Sequence, residues 1–273
     1  MTVLANRAST HLGRVLVIAG SDSGGGAGIQ ADIKAITALG GYAATAITAV
    51  TVQNTLGVTG VHPIPIETIL AQAHAVLDDI GADVIKTGML GDVATVEAVA
   101  SLLAEAGVPA VIDPVMIAKG GASLLSPDAL DAVRRRMVPQ AALLTPNAPE
   151  AAALTGLSVE TTDDLRRAGE ALLELGARAV LMKGGHIEGE LLTDILMTPA
   201  GETTFSGPRL DTRHTHGTGC TLASACAAGL AQDLPLEPAV ARAWAYVAEA
   251  IRHAPGFGAG QGPLDHGWPL RNR

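Results

Sequence analysis

Short runs of β-favouring apolar residues alternate along this sequence with longer segments whose apolar positions recur at helical spacing. Residues 15–19 (Val-Leu-Val-Ile-Ala) read as a buried strand; Ile29, Ile33, Ile36 and Leu39 then mark one helix face, which Gly40 and Gly41 end. Further strands are predicted at 43–52, 83–86, 109–112, 141–144 and 178–182. Helices are predicted at 67–80, 92–106, 126–137 (capped by Ser126, with Pro127 at its first position), 149–155, 163–175, 221–231 and 238–253. Segments 191–198 and 203–205 flank Pro199-Ala200-Gly201 in the manner of a hairpin. The strands are too uniformly apolar to leave one face in water, so the sheet should be parallel and covered on both sides. The expectation is a single α/β domain over residues 14–273: a three-layer sandwich with a mostly parallel central sheet and helices on both faces. Residues 1–13 are expected to be a disordered or loosely attached leader.

Composition narrows the partners. Lys and Arg total 18 against 27 Asp and Glu, a net charge of -9, with no basic block, so nucleic acid is not an expected partner. No apolar window approaches the ~18 residues of a membrane span, and the leader has no signal-peptide core. Two cysteines, Cys220 and Cys226, make no disulfide framework and suit a reduced, cytoplasmic setting. With only two each of Trp, Tyr and Phe, a ring-shaped ligand would be gripped by aliphatic side chains and hydrogen bonds.

In a parallel sheet the ligand lies beyond the carboxyl ends of the strands. Polar and glycine-rich junctions fall there after successive strands: Gly20-Ser21-Asp22, Lys86-Thr87-Gly88, Asp113-Pro114, Thr145-Pro146-Asn147 and Lys183-Gly184-Gly185. Two familiar nucleotide motifs fail on spacing. None of Lys34, Lys86, Lys119 and Lys183 stands between a Gly and a Ser or Thr, as a P-loop requires. From Gly24 and Gly26 the third glycine of a dinucleotide fingerprint would fall on Ile29, which sets aside a dehydrogenase. The stronger anion site is His216-Gly217-Thr218-Gly219-Cys220, which runs straight into an apolar helix. Glycines there let backbone N–H groups converge at a helix N-terminus carrying about half a positive charge. A glycine-rich helix entry with no ligand is the plainer reading of the same residues.

The junctions extend into longer motifs, in order: residues 19–32 (AGSDSGGGAGIQAD), 52–55 (VQNT), 86–90 (KTGML), 113–116 (DPVM), 145–150 (TPNAPE), 183–186 (KGGH) and 215–221 (THGTGCT). Together they resemble the hydroxymethylpyrimidine/phosphomethylpyrimidine kinases of thiamine biosynthesis, within the ribokinase-like superfamily, from about Arg14 to His266. The resemblance implies ATP-dependent phosphorylation of 4-amino-5-hydroxymethyl-2-methylpyrimidine to the monophosphate, and of that to the diphosphate. It also implies Mg²⁺ and a homodimer.

By the same resemblance, Gln53 reads the aminopyrimidine edge, Asp32 makes a second ring contact, and Gly20 and Met89 line the ring pocket. An amide suits that edge because it offers donor and acceptor together. Read without the family, Gln53 is a polar turn residue, Asp32 a solvated helix side chain and Met89 plain core. Gly217, Thr218, Gly219 and Cys220 form the catalytic turn, where Cys220 occupies the place of the Asp base of sugar kinases. Its thiol is expected below the free value of ~8.5, at a helix N-terminus. Lys183, Asn147 and Asp113 are matched to ATP phosphates, and Glu150 with Asp113 to Mg²⁺ held largely through water. A helix cap explains Asn147 equally well, and an exposed strand end explains Lys183. Residues 115–122 resemble a mobile flap, and His214 and His216 flank the anion turn as phosphate contacts or turn residues. Two rivals stand beside this reading: a pyridoxine or pyridoxal kinase of the same fold, and a non-catalytic pyrimidine- or nucleotide-binding module. The absence of a cysteine from residues 116–119 disfavours the first, and the joint presence of Asn147, Glu150, Lys183 and Cys220 disfavours the second.

Overall fold

The computed structural model describes residues 11–117, 124–126 and 128–271. Among them a nine-stranded sheet runs in the order β3-β2-β1-β4-β5-β6-β7-β8-β9. Its parallel centre is β2 (Tyr42–Asn54), β1 (Arg14–Ser21), β4 (Val84–Thr87), β5 (Ala110–Ile112), β6 (Ala141–Leu144) and β7 (Val180–Met182). One edge is closed by antiparallel β3 (Gly57–Pro63), the other by the hairpin β8 (Leu191–Thr198) and β9 (Gly201–Pro208).

Period-two alternation sorts each central strand between two cores. In β1, Leu16 and Ile18 join Ile85, Ile112, Leu144 and Met182 in one apolar cluster. Helices α2 (Ile66–Asp79), α3 (Val93–Ala106), α5 (Ala148–Thr155) and α6 (Thr162–Glu174) cover that face, as does α4 (Ala129–Ala132) with the π turn Val133–Met137 that prolongs it. Val15, Val17 and Ala19 join Val84, Val111, Leu143 and Leu181 in the other cluster, under α1 (Gly28–Ala38), α7 (Thr218–Ala231) and α8 (Leu236–Arg252). This is the expected three-layer sandwich with a mostly parallel centre.

Local differences have local causes. Strand β3 was not legible, because glycines at 57 and 60 and Pro63 dilute its apolar residues. The helix expected from Ser126 starts at Ala129 instead; Ser126 supplies a backbone carbonyl to the Ala129 N–H rather than a side-chain cap. Pro127 lies outside the described residues, as do residues 1–10 of the expected leader. A short α9 (Trp268–Arg271) is added beyond the last expected helix, its Trp268 ring stacked between Tyr246 and His253. Helix α7 begins at Thr218, three residues earlier than its apolar pattern, which brings the whole glycine turn into its first turn.

Candidate active site

A cavity of about 1230 Å³ opens at the carboxyl ends of the parallel strands. The junctions after β1, β4, β5, β6 and β7 all contribute to its wall, through Gly20, Gly88, Asp113, Asn147 and Lys183. The segment leading into α7 and its first turn, residues 215–220, also lines it.

That turn is built by close approach. Gly217 adopts φ 83°, and a Cβ there would fall 1.7 Å from the carbonyl oxygen of Gly26. Only glycine allows the anion turn to dock on the first glycine loop. Helix α7 has no side-chain cap; its Thr218 N–H bonds Thr215 O at 3.4 Å, and the N–H groups of Gly219 and Cys220 have no intrahelical acceptor. Beside them, a Cβ on Gly219 would lie 3.3 Å from Lys183 Nζ and 3.9 Å from Asp113 Oδ2.

Lys183 is 12 % exposed, donates to Asp113 Oδ1 at 2.9 Å and lies 3.7 Å from Glu150 Oε2. It is thus a member of a charge cluster and not a free lysine on a strand end. Thr145 Oγ1 donates to the same Asp113 oxygen at 3.2 Å. Asn147 and Glu150 form a capping box: Asn147 Oδ1 accepts the Glu150 N–H at 2.9 Å, and Glu150 Oε2 accepts the Asn147 N–H at 2.8 Å. The cap and the cavity wall are the same two residues. Burial pushes the Glu150 carboxyl up to about 7; Asp113 acts in the same direction, and Lys183 opposes both.

A residue the sequence reading missed holds this end in place. Asp194, buried in the middle of β8, accepts the Gly184 N–H at 2.8 Å and a hydrogen bond from the Trp244 side chain. Burial pushes it up to about 6. Arg209 clasps the following loop through the carbonyls of Gly185, Ile187 and Gly189. A charged residue inside an otherwise apolar and threonine-bearing strand was the available signal for Asp194.

At the other end, Gly20 and Met89 both line the cavity and pack together; a Cβ on Gly20 would fall 2.4 Å from Met89 Cε. Gln53 ends the same wall, its Nε2 lying 3.3 Å from His216 Nε2. His216 also meets Asp22 Oδ2 at 2.8 Å, and Asp22 accepts the N–H groups of Gly24, Gly26 and Ala27. Burial raises the Asp22 carboxyl, but the His216 and Ala27 hydrogen bonds outweigh it and hold the group below the usual range. Asp22 organises the glycine loop, a task its place in that loop signalled but did not specify. His216 takes the turn role, and its backbone N–H bonds Gly262 O, so the 256–266 tail buttresses the anion turn. His214 packs on Gly262 and does not line the cavity.

Two expectations are corrected. Asp32 is fully buried and does not line the cavity, so the ring contact expected of it is not available. Its Oδ1 instead accepts from Lys86 Nζ at 3.0 Å and from Ser224 Oγ at 2.7 Å, between β4, α1 and α7. Cys220 lines the cavity, but its thiol is not depressed: burial pushes it up to about 12, and Lys86 opposes only in part. The helix terminus does not overcome desolvation at the cavity floor. Cys226 is packing, as expected, at 0 % exposure. Of the flap, Val115, Met116 and Ile117 line the cavity, while residues 118–122 lie outside those described. Among the described residues no group of three or more His, Cys, Asp or Glu is placed to hold a metal.

The family described as "Phosphomethylpyrimidine kinase" matches residues 22–265. A hydroxymethylpyrimidine/phosphomethylpyrimidine kinase of Streptomyces coelicolor is 51 % identical over 256 residues, 94 % of this chain and 95 % of that one. A thiamine biosynthesis bifunctional protein of Geobacter sulfurreducens is 49 % identical over 95 % of this chain, which spans 53 % of that longer protein. Among solved structures, the ADP complex of Bacillus subtilis pyridoxal kinase superposes with TM-score 0.89 at 36 % identity, covering 96 % of this chain and 100 % of that one.

Proposed function

The chain belongs to the phosphomethylpyrimidine kinase family, and from that membership we propose that it transfers the γ-phosphoryl group of ATP first to 4-amino-5-hydroxymethyl-2-methylpyrimidine and then to the resulting monophosphate, in thiamine biosynthesis. One observation carries the assignment of roles within the cavity. The 217–220 turn lies between Lys183, beside Gly219, and Gln53, beside His216. An acceptor alcohol and a triphosphate brought in from the two ends would meet at that turn.

The pyrimidine lies against Gly20 and Met89 with its amino edge on Gln53. Its hydroxymethyl oxygen attacks the γ-phosphorus, the bond from that phosphorus to the β–γ bridging oxygen breaks, and ADP leaves. The α7 amides of Gly219 and Cys220 face the charge on the migrating group, and Lys183 binds the phosphates on its other side. Proton removal comes late in such a loose transition state and can end on an oxygen of the transferred phosphoryl group, so a neutral Cys220 thiol at the turn positions the alcohol and is not a base. In the second step a phosphate oxygen of the monophosphate attacks a second ATP in the same place.

The buried carboxylates of Asp113 and Glu150 form a hard-oxygen pair beside Lys183 that suits Mg²⁺ retaining several waters. Bound there, the ion would neutralise charge on the phosphates. Exposed Val50, Val52, Leu56 and Val61 at the β2–β3 edge suit a homodimer contact. No described helix is long and apolar enough to cross a membrane, and a cytoplasmic place fits the two free thiols. Coupled ADP release with the pyrimidine alcohol, its monophosphate and pyridoxal tests the assignment. Turnover on both pyrimidines at least tenfold more efficient than on pyridoxal is expected; the reverse order would overturn it.

A further inference from the structure

Gln53 is held by two neighbours whose hydrogens are already committed. His216 Nε2 lies 2.8 Å from Asp22 Oδ2, and an ionised carboxylate can only accept, so that ring nitrogen carries a hydrogen. Thr51 Oγ1 has one hydrogen and donates it to Ser21 O at 2.8 Å, which leaves lone pairs facing Gln53. The ring occupies the space that a side chain at Gly26 would need, a Cβ there falling 2.5 Å from His216 Cδ2. The amide lies 3.3 Å from each neighbour, Nε2 beside His216 Nε2 and Oε1 beside Thr51 Oγ1. In that orientation donor faces donor and acceptor faces acceptor. A half-turn of the carboxamide exchanges its two ends: Nε2 then donates to Thr51 Oγ1, and Oε1 becomes a second acceptor for the hydrogen that His216 Nε2 gives to Asp22 Oδ2.

We propose that His216, fixed by Asp22, together with Thr51, locks Gln53 with Oε1 toward the anion turn and Nε2 toward Thr51, and that this lock selects a 4-aminopyrimidine over a 4-oxopyrimidine. The inference rests on the reading of Gln53 as the pyrimidine contact. An amino group beside Oε1 and ring N3 beside Nε2 complete two hydrogen bonds. The 4-oxo analogue presents O4 and N3–H, the inverted pattern, and fails both. The lock also sets the direction of the ring. With N3 on the Thr51 side and the amino group on the His216 side, the adjacent C5 hydroxymethyl points on toward residues 217–220. His216 is a positioning residue here, acting on substrate through Gln53.

The test compares kcat/KM for 4-amino-5-hydroxymethyl-2-methylpyrimidine and its 4-oxo analogue in the wild type, His216→Leu, Thr51→Val and Gln53→Leu. The wild type should favour the amino compound by more than about 100-fold, as sites built on paired hydrogen bonds do. His216→Leu should cut that ratio by about tenfold, one neutral hydrogen bond's worth, with a raised KM for the amino compound and improved use of the oxo compound. Thr51→Val should shift the ratio the same way by about threefold, and it decides the matter if His216→Leu does not fold. A parallel loss on both substrates with an unchanged ratio would show a purely structural role and overturn the proposal. If Gln53→Leu leaves the KM of the amino compound unchanged, the pyrimidine reading of Gln53 itself is wrong. If Gln53→Leu raises that KM while the other two variants keep the ratio, the lock alone is refuted.

Discussion

Lys86 and Lys183 stand at the ends of two parallel strands of one sheet, yet their charges are matched in different ways. Lys86 is the third residue of β4, and its side chain points into the layer under α1 and α7, where it and its partner Asp32 are both 0 % exposed. Lys183 comes one residue after β7, 12 % exposed, between Asp113 and Glu150 on the cavity wall. Two positions relative to the strand end separate them: Lys86 precedes the last residue of β4, and Lys183 follows the last residue of β7. The first pair is one cation against one anion, both closed to solvent at the floor of the cavity. The second is one cation against two carboxylates, with phosphate-sized space beside it.

Variants at the two lysines should therefore fail in different ways. Lys86→Met leaves the Asp32 carboxylate buried without its partner and should destabilise the fold by about 3–5 kcal/mol, read from urea denaturation. Replacing both partners, as Lys86→Met with Asp32→Leu, should recover most of that loss. A single variant as stable as the wild type would show that the pair is not the fixed element described here. Lys183→Met should instead keep the folded state and lower kcat/KM for ATP by about 10²–10³, the scale of one lost charge contact to a migrating group. Equal stability losses in Lys86→Met and Lys183→Met would erase the contrast.

The sequence made one half of this contrast readable. Strand-end junctions and the apolar alternation place Lys183, Asp113 and Asn147 around one edge, because those signals are local, while residues 217–220 are legible only as a glycine-rich helix entry. Asp32 and Lys86 are 54 positions apart and meet only through the packing of α1 and α7 on β4, so neither the pair nor its burial could be read. Asp22 and His216 are separated by 194 positions and were legible only as members of their own loops. The Cys220 thiol went wrong for a related reason. A helix N-terminus can be read from sequence, but the desolvation that outweighs it depends on what closes over the site.

The charge ratio at Lys183 has a pH signature of its own. Glu150 has its folded value raised from 4.5 to about 7, so between those limits the native state holds a proton that the unfolded chain has released. Stability from this group is therefore present below about pH 4.5 and lost as pH rises through 7. The difference in unfolding free energy between wild type and Glu150→Gln should change by about 2–3 kcal/mol from pH 4.5 to 8, wild type losing ground. A difference that stays flat across that range would mean Glu150 is ionised throughout, and Lys183 is then held more tightly than its two-carboxylate surroundings suggest.

The smallest effect belongs to the residue most readily taken for a base. Cys220 shares the turn with the amides that face the phosphoryl group, yet its thiol is pushed up to about 12, far from the pH at which a base would be useful. Cys220→Ser keeps a polar group of similar size at the same point and should lower kcat by less than about tenfold. Cys220→Ala should cost somewhat more, mainly through loss of contact with the alcohol. Neither variant should change the shape of the pH–kcat profile between pH 6 and 9. If the wild type shows a limb near pH 8–9 that Cys220→Ser abolishes, the thiol ionises in the working complex. The positive charge of Lys86 beneath it would then belong to catalysis as well as to the fold.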